Sequence, residues 1–297
     1  MKILLLGKNG QVGWELQRSL QPLGTVIALD RAGEGGLVGD LSDLAGLRRT
    51  ICDLRPDVVV NAAAYTAVDK AESEPALARR INSEAPEVIA RCLAKHGGWL
   101  LHYSTDYVFD GSGERPWSEE DSTGPLNVYG QTKLEGEQAI QASGCKHLVF
   151  RTSWVYAARG GNFAKTMLRL AAEREELKVI DDQVGAPTSA ELIADISAHA
   201  LRSASRQPAL AGLYHLAATG EVNWHGYASY VIEQAARCGG KVKVRDILPI
   251  PTSAYSTPAK RPMNSRLDGR KLCAAFSLTL PHWQLGVRRM LDEIQGN

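Results

Sequence analysis

The chain has 297 residues, 44% hydrophobic and 23% charged, the make-up of a globular protein with room for one large domain or a large and a small one. Thirty-four basic and 33 acidic residues leave a formal charge of +1, so neither nucleic acid nor a membrane surface is an expected partner. No apolar run reaches the roughly 20 residues of a membrane helix. The five cysteines are odd in number and form no CxxC pair, and the seven histidines show no HxH or HExxH spacing. Reduced thiols in a cytoplasm are expected, and a catalytic zinc is not.

Taken in chain order, MKILLLG carries an apolar run too short for a signal peptide that ends in glycines, so residues 2–6 are read as a strand. Residues 7–13 form a turn. A helix follows over 14–23, with Pro22 and Gly24 as its stop. The pattern then gives a strand at 25–30, a helix at 44–54, a strand at 57–61 and a long helix at 75–96 closed by Gly97 and Gly98. A strand at 99–104, a helix at 129–143 and a strand at 147–152 complete the first half. Apolar strands separated by helices predict an α/β fold, a doubly wound parallel sheet of Rossmann type. In the second half, 162–174 and 190–203 read as helices, 212–217 as a strand, 224–238 as a helix, 248–262 as loops and 285–294 as a final helix. The expected organisation is a dinucleotide-binding domain over 1–155. Residues 156–297 form mainly a smaller substrate-binding lobe, with some segments returning to the sheet.

The first strand runs into GKNGQVG, with Gly7, Gly10 and Gly13 at GxxGxxG spacing. Glycines there let backbone N–H groups approach a pyrophosphate, and the next helix adds its positive end. Asp30 ends the second strand, where a carboxylate bonds the adenosine ribose and favours NAD. Arg31 follows and suits a 2′-phosphate, so both NADH and NADPH are expected. Asp40 suits the adenine or, equally, a helix start beside Ser42. Ala63 and Ala64, in NAAAY, offer small side chains under a cofactor.

Tyr129 and Lys133 form a Tyr-x-x-x-Lys and share a helix face at i and i+4. A neighbouring ammonium is expected to lower the phenol's pKa from about 10, fitting it for proton transfer at a carbonyl or alcohol. Thr105, 24 residues earlier at a strand end, supplies a hydroxyl beside that phenol.

GKNGQVG, VNAAAYTAVDKAE, HYSTDYVFDG, NVYGQTKLEGE, FRTSWVY, DDQVGAPT and RPMNSRLD, in that order from Lys2 to about Met290, resemble the dTDP-4-dehydrorhamnose reductase family of extended short-chain dehydrogenase/reductases. The resemblance implies hydride transfer from NADPH or NADH to C4 of dTDP-4-dehydro-L-rhamnose, for surface polysaccharide. It implies Tyr129 as proton donor, with Lys133 and Thr105 tuning it. It also implies that Gly10, Gln11, Val12, Asp30, Asp40, Leu41, Ala63, Ala64 and Tyr103 line the cofactor, together with Tyr129 and Lys133. Thr105, Asp106 and Trp154 would touch the dTDP-sugar, with Trp154 as an aromatic wall. In the less regular half, Lys165 or Arg261 suits a pairing with the diphosphate or, equally, stands as a solvated charge. The same resemblance implies a homodimer, sometimes around a magnesium ion; nothing in the spacing of Glu15 and Glu191 makes them its ligands, and they read first as helix-surface carboxylates.

The related 4,6-dehydratases carry Asp-Glu after the Thr. This chain has Asp106-Tyr107 and lacks the base that water loss requires. An epimerase would keep its NAD bound through turnover. A non-catalytic subunit resembling the regulatory β-subunit of methionine adenosyltransferase would tolerate loss of Thr105, Tyr129 or Lys133, all of which stand here.

Overall fold

The computed structural model describes residues 1–296. Five strands, β1 (Lys2–Leu6), β2 (Thr25–Leu29), β3 (Val58–Asn61), β4 (Trp99–Thr105) and β5 (Lys146–Thr152), join a sixth strand at Gly212–His215 in one sheet. All pairs are parallel, and the order runs from Gly212–His215 through β5, β4, β3 and β1 to β2. The strand order reverses between β1 and β3. In open α/β sheets the crevice outside the strand ends at such a point is where ligands bind. The edge strand comes from beyond residue 155, as do two helices of the sheet's outer layers.

Alternation along the strands builds a core on each face. Ile3, Leu5, Val60, Leu101 and Phe150 pack with Leu16 of helix Gln11–Ser19 and Ile193 of helix Ala190–Arg206. Leu4, Leu6, Val59, Leu100 and Val149 pack with Leu47 of helix Leu44–Leu54, Ile89 of helix Ala85–Ala94 and Ile140 of helix Val128–Ala142. A third core, around Tyr156, Tyr227, Trp283 and Val287, holds helices Trp224–Arg237 and Trp283–Gln295 together.

Several expected elements shift for physical reasons. The first helix starts at Gln11 instead of residue 14, because Gly10 already has the extended backbone of a helix N-cap. The long helix expected over 75–96 is broken. Pro75–Arg79 passes through a π-turn at Arg80–Glu84 into Ala85–Ala94, whose Pro86 has no N–H to give to a regular ladder. The expected loop over 248–262 contains part of a strand, Asp246–Ile250, which pairs in parallel with Glu176–Ile180. A helix at Arg270–Phe276 carried no legible signal. Among the described residues no helix is long and apolar enough to cross a membrane.

Candidate active site

The crevice begins at the β1 turn. Gly7 has φ +90°, and a Cβ there would lie 2.8 Å from the Ala63 amide nitrogen. A Cβ on Gly13 would meet the Gly7 carbonyl oxygen at 2.0 Å. Only glycine lets the turn, the β3 end and the first helix approach this closely. No side chain caps that helix, so its first-turn N–H groups remain for an anion. A cavity of about 550 Å³ opens here, lined by Gly7, Gly10, Asp30, Arg31, Asp40, Leu41, Ala63 and Ala64. Its glycine and alanine floor fits a dinucleotide laid along the backbone.

The polar groups at its rim are ordered. Asn9 Nδ2 donates to Asp30 at 2.8 Å, and the Ala32 amide donates to the other Asp30 oxygen at 3.0 Å. Arg31 Nε donates to Asp40 at 3.1 Å. Asp40 also accepts from the Ser42 amide and hydroxyl, both at 2.8 Å, and these bonds outweigh its desolvation and lower its pKa. Asp40 sits in the cavity wall and bonds Ser42, while the helix that follows, Leu44–Leu54, is capped by Asp43. Gln11 and Val12 are not in that lining. Gln11 Oε1 accepts from Asn162 Nδ2 at 3.1 Å, and Val12 packs on the sheet core.

A cluster of polar groups sits at the C-terminal end of β4. Thr105 Oγ1 donates to Asp106 at 3.1 Å and accepts from the Tyr107 amide at 3.2 Å. Asp106 is 2% exposed and its Oδ2 has no protein partner. Burial pushes its carboxyl up to about 6, and the neighbouring Ser265 and Thr105 hydroxyls oppose the rise. An orphaned, buried carboxylate oxygen beside a hydroxyl is a place for a substrate's O–H.

Tyr129 is in the first turn of helix Val128–Ala142. Asn127 caps that helix through the Gly130 amide at 2.8 Å and ties it to Lys260 through a second bond at 2.7 Å. Gly130 matters sterically, since a Cβ there would lie 2.2 Å from the Tyr107 carbonyl oxygen. The Tyr107 and Tyr129 rings then meet edge to face, with centroids 5.6 Å apart. Burial raises the Tyr129 phenol to about 12; a bond with Thr105 opposes the rise and the Asp106 charge adds to it. The expected lowering by Lys133 does not occur. Lys133 Nζ, one helical turn away, is bonded to the Tyr103 carbonyl at 2.5 Å and lies 3.1 Å from His102 Nε2. Burial drops the Lys133 ammonium to about 8, and Glu137 partly restores it. Tyr103 itself points to the other face of the sheet, where its hydroxyl meets Ser197 Oγ at 2.7 Å. Its backbone carbonyl, not its ring, faces helix Val128–Ala142.

A second opening of about 850 Å³ is walled by Phe163, Trp224, Tyr255, Tyr107 and Arg261. Trp154, expected as the aromatic wall, stacks on Trp224 at 3.5 Å, and Trp224 faces the cleft. Trp154 holds φ +48°, an outlier for a bulky residue. Trp224, whose Nε1 donates to Gln183 at 3.1 Å, read in the sequence only as the start of a helix. Of the two candidate cations, Arg261 lines the cleft and is held by Asp69 at 2.7 Å, while Lys165 donates to the Ala158 carbonyl. Glu15 and Glu191 are close enough for Glu191 to help raise the Glu15 pKa, after burial. Arg18 lies 3.7 Å from Glu15 and Arg289 2.9 Å from Glu191. Among the described residues no group of three or more His, Cys, Asp or Glu could hold a metal.

A doubly wound parallel sheet, a glycine turn at its switch point and a Thr, Tyr and Lys near the strand ends define a nicotinamide-dependent oxidoreductase of the extended short-chain type. The family described as RmlD substrate binding domain matches residues 1–296. The dTDP-4-dehydrorhamnose reductase of Shigella flexneri is 58% identical over 99% of this chain and 98% of its own. Solved structures of dTDP-4-dehydrorhamnose reductases superpose over 99% of this chain and 100% of theirs, each at 33% identity. That from Clostridium acetobutylicum has a TM-score of 0.89, and that from Bacillus anthracis, in complex with NADP, one of 0.87. This chain belongs to the dTDP-4-dehydrorhamnose reductase family.

Proposed function

We propose that the enzyme reduces the C4 ketone of dTDP-4-dehydro-L-rhamnose to dTDP-L-rhamnose with NADPH or NADH. The observation that carries this reading is the convergence of Thr105, Tyr129 and the unpaired Asp106 oxygen at the end of β4, inside a chain 58% identical to a named reductase. The bound reduced nicotinamide supplies the hydride. Tyr129 gives its phenolic proton to the new alkoxide oxygen, and Thr105 turns its one hydroxyl proton from Asp106 to that oxygen. Lys133 supplies positive charge near the tyrosine as it gives up its proton. Asp106 accepts a sugar hydroxyl with its free oxygen.

Gly7, Gly10 and Gly13, with the first-turn amides of Gln11 and Val12, hold the pyrophosphate. Asp30 and Arg31 take the two forms of the adenosine ribose, and Asp40, Leu41, Ala63 and Ala64 complete the cavity. Tyr103 bounds the nicotinamide end through its carbonyl contact with Lys133. Trp224, backed by Trp154, offers a flat wall to the nucleotide base or the sugar, and Arg261 meets the diphosphate.

Tyr107 favours reduction over water loss. Burial pushes its phenol well above its ordinary pKa, so it is no base for elimination. The five free cysteines suit a reducing cytoplasm, and the family resemblance supports a homodimer, which sedimentation would test.

The deciding experiment supplies dTDP-4-dehydro-6-deoxyglucose and NADPH, with and without a 3,5-epimerase. Loss of reduced-nicotinamide absorbance only with the epimerase is expected. Equal loss without it would contradict the L-rhamnose assignment.

A further inference from the structure

His102 belongs to none of the roles above, yet it touches the catalytic lysine. The β3–β4 register sets Asn61 beside His102, and both side chains are 1% exposed. Asn61 Nδ2 lies 3.1 Å from His102 Nδ1, and Lys133 Nζ lies 3.1 Å from His102 Nε2. Asn61 Oδ1 is committed, because it accepts from the Ala63 amide at 3.2 Å. Turning the Asn61 amide over would set its NH₂ group against that amide. Its NH₂ therefore faces Nδ1, and Nδ1 must be the acceptor.

A neutral imidazole has one proton. Burial, with the Lys133 charge as a second cause, keeps His102 neutral. With Nδ1 accepting, the proton sits on Nε2 and points at Lys133. Lys133 gives one N–H to the Tyr103 carbonyl at 2.5 Å. To accept the Nε2–H it needs a lone pair, which only the neutral amine has. The whole chain from Asn61 to Tyr103 is satisfied with Lys133 as amine and mismatched with Lys133 as ammonium. Restoring the match for the ammonium requires the imidazole proton on Nδ1 and the Asn61 carbonyl oxygen turned to receive it, a turn that gives up the bond from the Ala63 amide. The balance is one proton taken up from solvent by Lys133, with the proton count of His102 unchanged.

We propose that His102 is a positioning residue for Lys133, and that the Asn61–His102 pair is a two-position tautomer latch: one position holds Lys133 as the amine, the other as the ammonium that supports Tyr129. The other charged group acting on Lys133 is Glu137, one turn along the same helix, which favours the ammonium. Glu137 is fixed from β5 by Arg151 at 2.7 Å, a pair buried on both sides, and it does not contact His102. Asn61 is also the link to the cofactor cavity, since the amide it holds belongs to Ala63.

The inference rests on the role given to Lys133, and its tests are separable from that reading. The first needs no substrate. In the full chain with ¹⁵N-labelled histidine, the His102 ring signals, assigned by comparison with His102→Gln, report the tautomer. The latch predicts Nε2–H at high pH and Nδ1–H at low pH, crossing over where Lys133 titrates, near pH 8. It predicts no crossover in Lys133→Met. One tautomer throughout pH 6 to 10, or a crossover that survives in Lys133→Met, would overturn the latch whatever the substrate proves to be.

The second test is kinetic. Asn61→Asp places an acceptor-only group at Nδ1 and so fixes Nε2 as acceptor for the ammonium. The alkaline limb of kcat is expected to move up by about one pH unit or more, a tenfold change in the Lys133 proton equilibrium. An unmoved limb in a variant that folds and turns over would contradict the latch, and if the variant does not fold the wild-type NMR result decides.

Discussion

The two ends of the crevice are built from different materials. At the β1 turn the cavity wall is backbone and small side chains, and the charges at its rim are water-facing: Arg31 is 85% exposed beside Asp40. Around the end of β4 stand buried or half-buried ionisable side chains, all with displaced titration. Asp106 is raised to about 6, Tyr129 raised to about 12 and Lys133 lowered to about 8. A cofactor's pyrophosphate needs only N–H groups and room, which backbone supplies. Proton transfer needs groups near their switching point, and burial moves them there. Damage at the first end should therefore fall on cofactor affinity, and damage at the second on turnover and on pH dependence.

The largest effect should come from Tyr129→Phe, which removes the proton proposed for transfer. Turnover is expected to fall roughly 10²–10⁴-fold. Fluorescence titration of NADPH should show an affinity close to wild type, and near-normal turnover would break the assignment. Gly13→Ala is the mirror experiment. Its methyl group would meet the Gly7 carbonyl at 2.0 Å, so NADPH binding should weaken about 10–100-fold, matching an overpacking cost of about 1–3 kcal/mol. At saturating NADPH, turnover should stay near wild type.

Asp106→Asn is expected to lower kcat/KM about tenfold while stabilising the fold at neutral pH. The folded Asp106 pKa, about 6, lies above the unfolded value. Its stabilising contribution is full below about pH 4 and is lost as pH rises through 6, so the charged form costs stability at pH 7. Urea unfolding should find the variant more stable by roughly 1–3 kcal/mol at pH 7, with the gap closing near pH 4. Arg31→Ala should do least. It should weaken NADPH less than about tenfold, leave NADH unchanged and leave stability untouched, because an exposed ion pair adds little.

The backbone-built end was the more legible in sequence. Three glycines at a fixed spacing after a strand constrain the chain locally, so Gly7, Gly10 and Gly13 announce their own geometry. Asp30, Asp40 and Ala63 follow because strand ends in a doubly wound sheet meet at one crevice. Tyr129 and Lys133 were legible as residues, through i and i+4 on one helix. Their electrostatics were not, because spacing says nothing about burial or about the Tyr103 carbonyl that takes Lys133. The contacts of His102 were also hidden. They join β3, β4 and helix Val128–Ala142, and only the strand register brings Asn61 beside His102. Trp224 escaped for a like reason, since its partners Trp154 and Gln183 lie about 70 and 41 residues earlier. The displaced helix start at Gln11 and the π-turn at Arg80–Glu84 are boundary effects of Gly10 and Pro86, which periodicity does not resolve.

The central claim is hydride delivery to one carbon of one sugar. The direct measurement is turnover of NADPH deuterated at the transferring position of its nicotinamide C4, in the epimerase-coupled reaction, with NMR of the product. The account predicts a single deuterium at C4 of dTDP-L-rhamnose. Deuterium at another sugar carbon, or a product without deuterium, would contradict it.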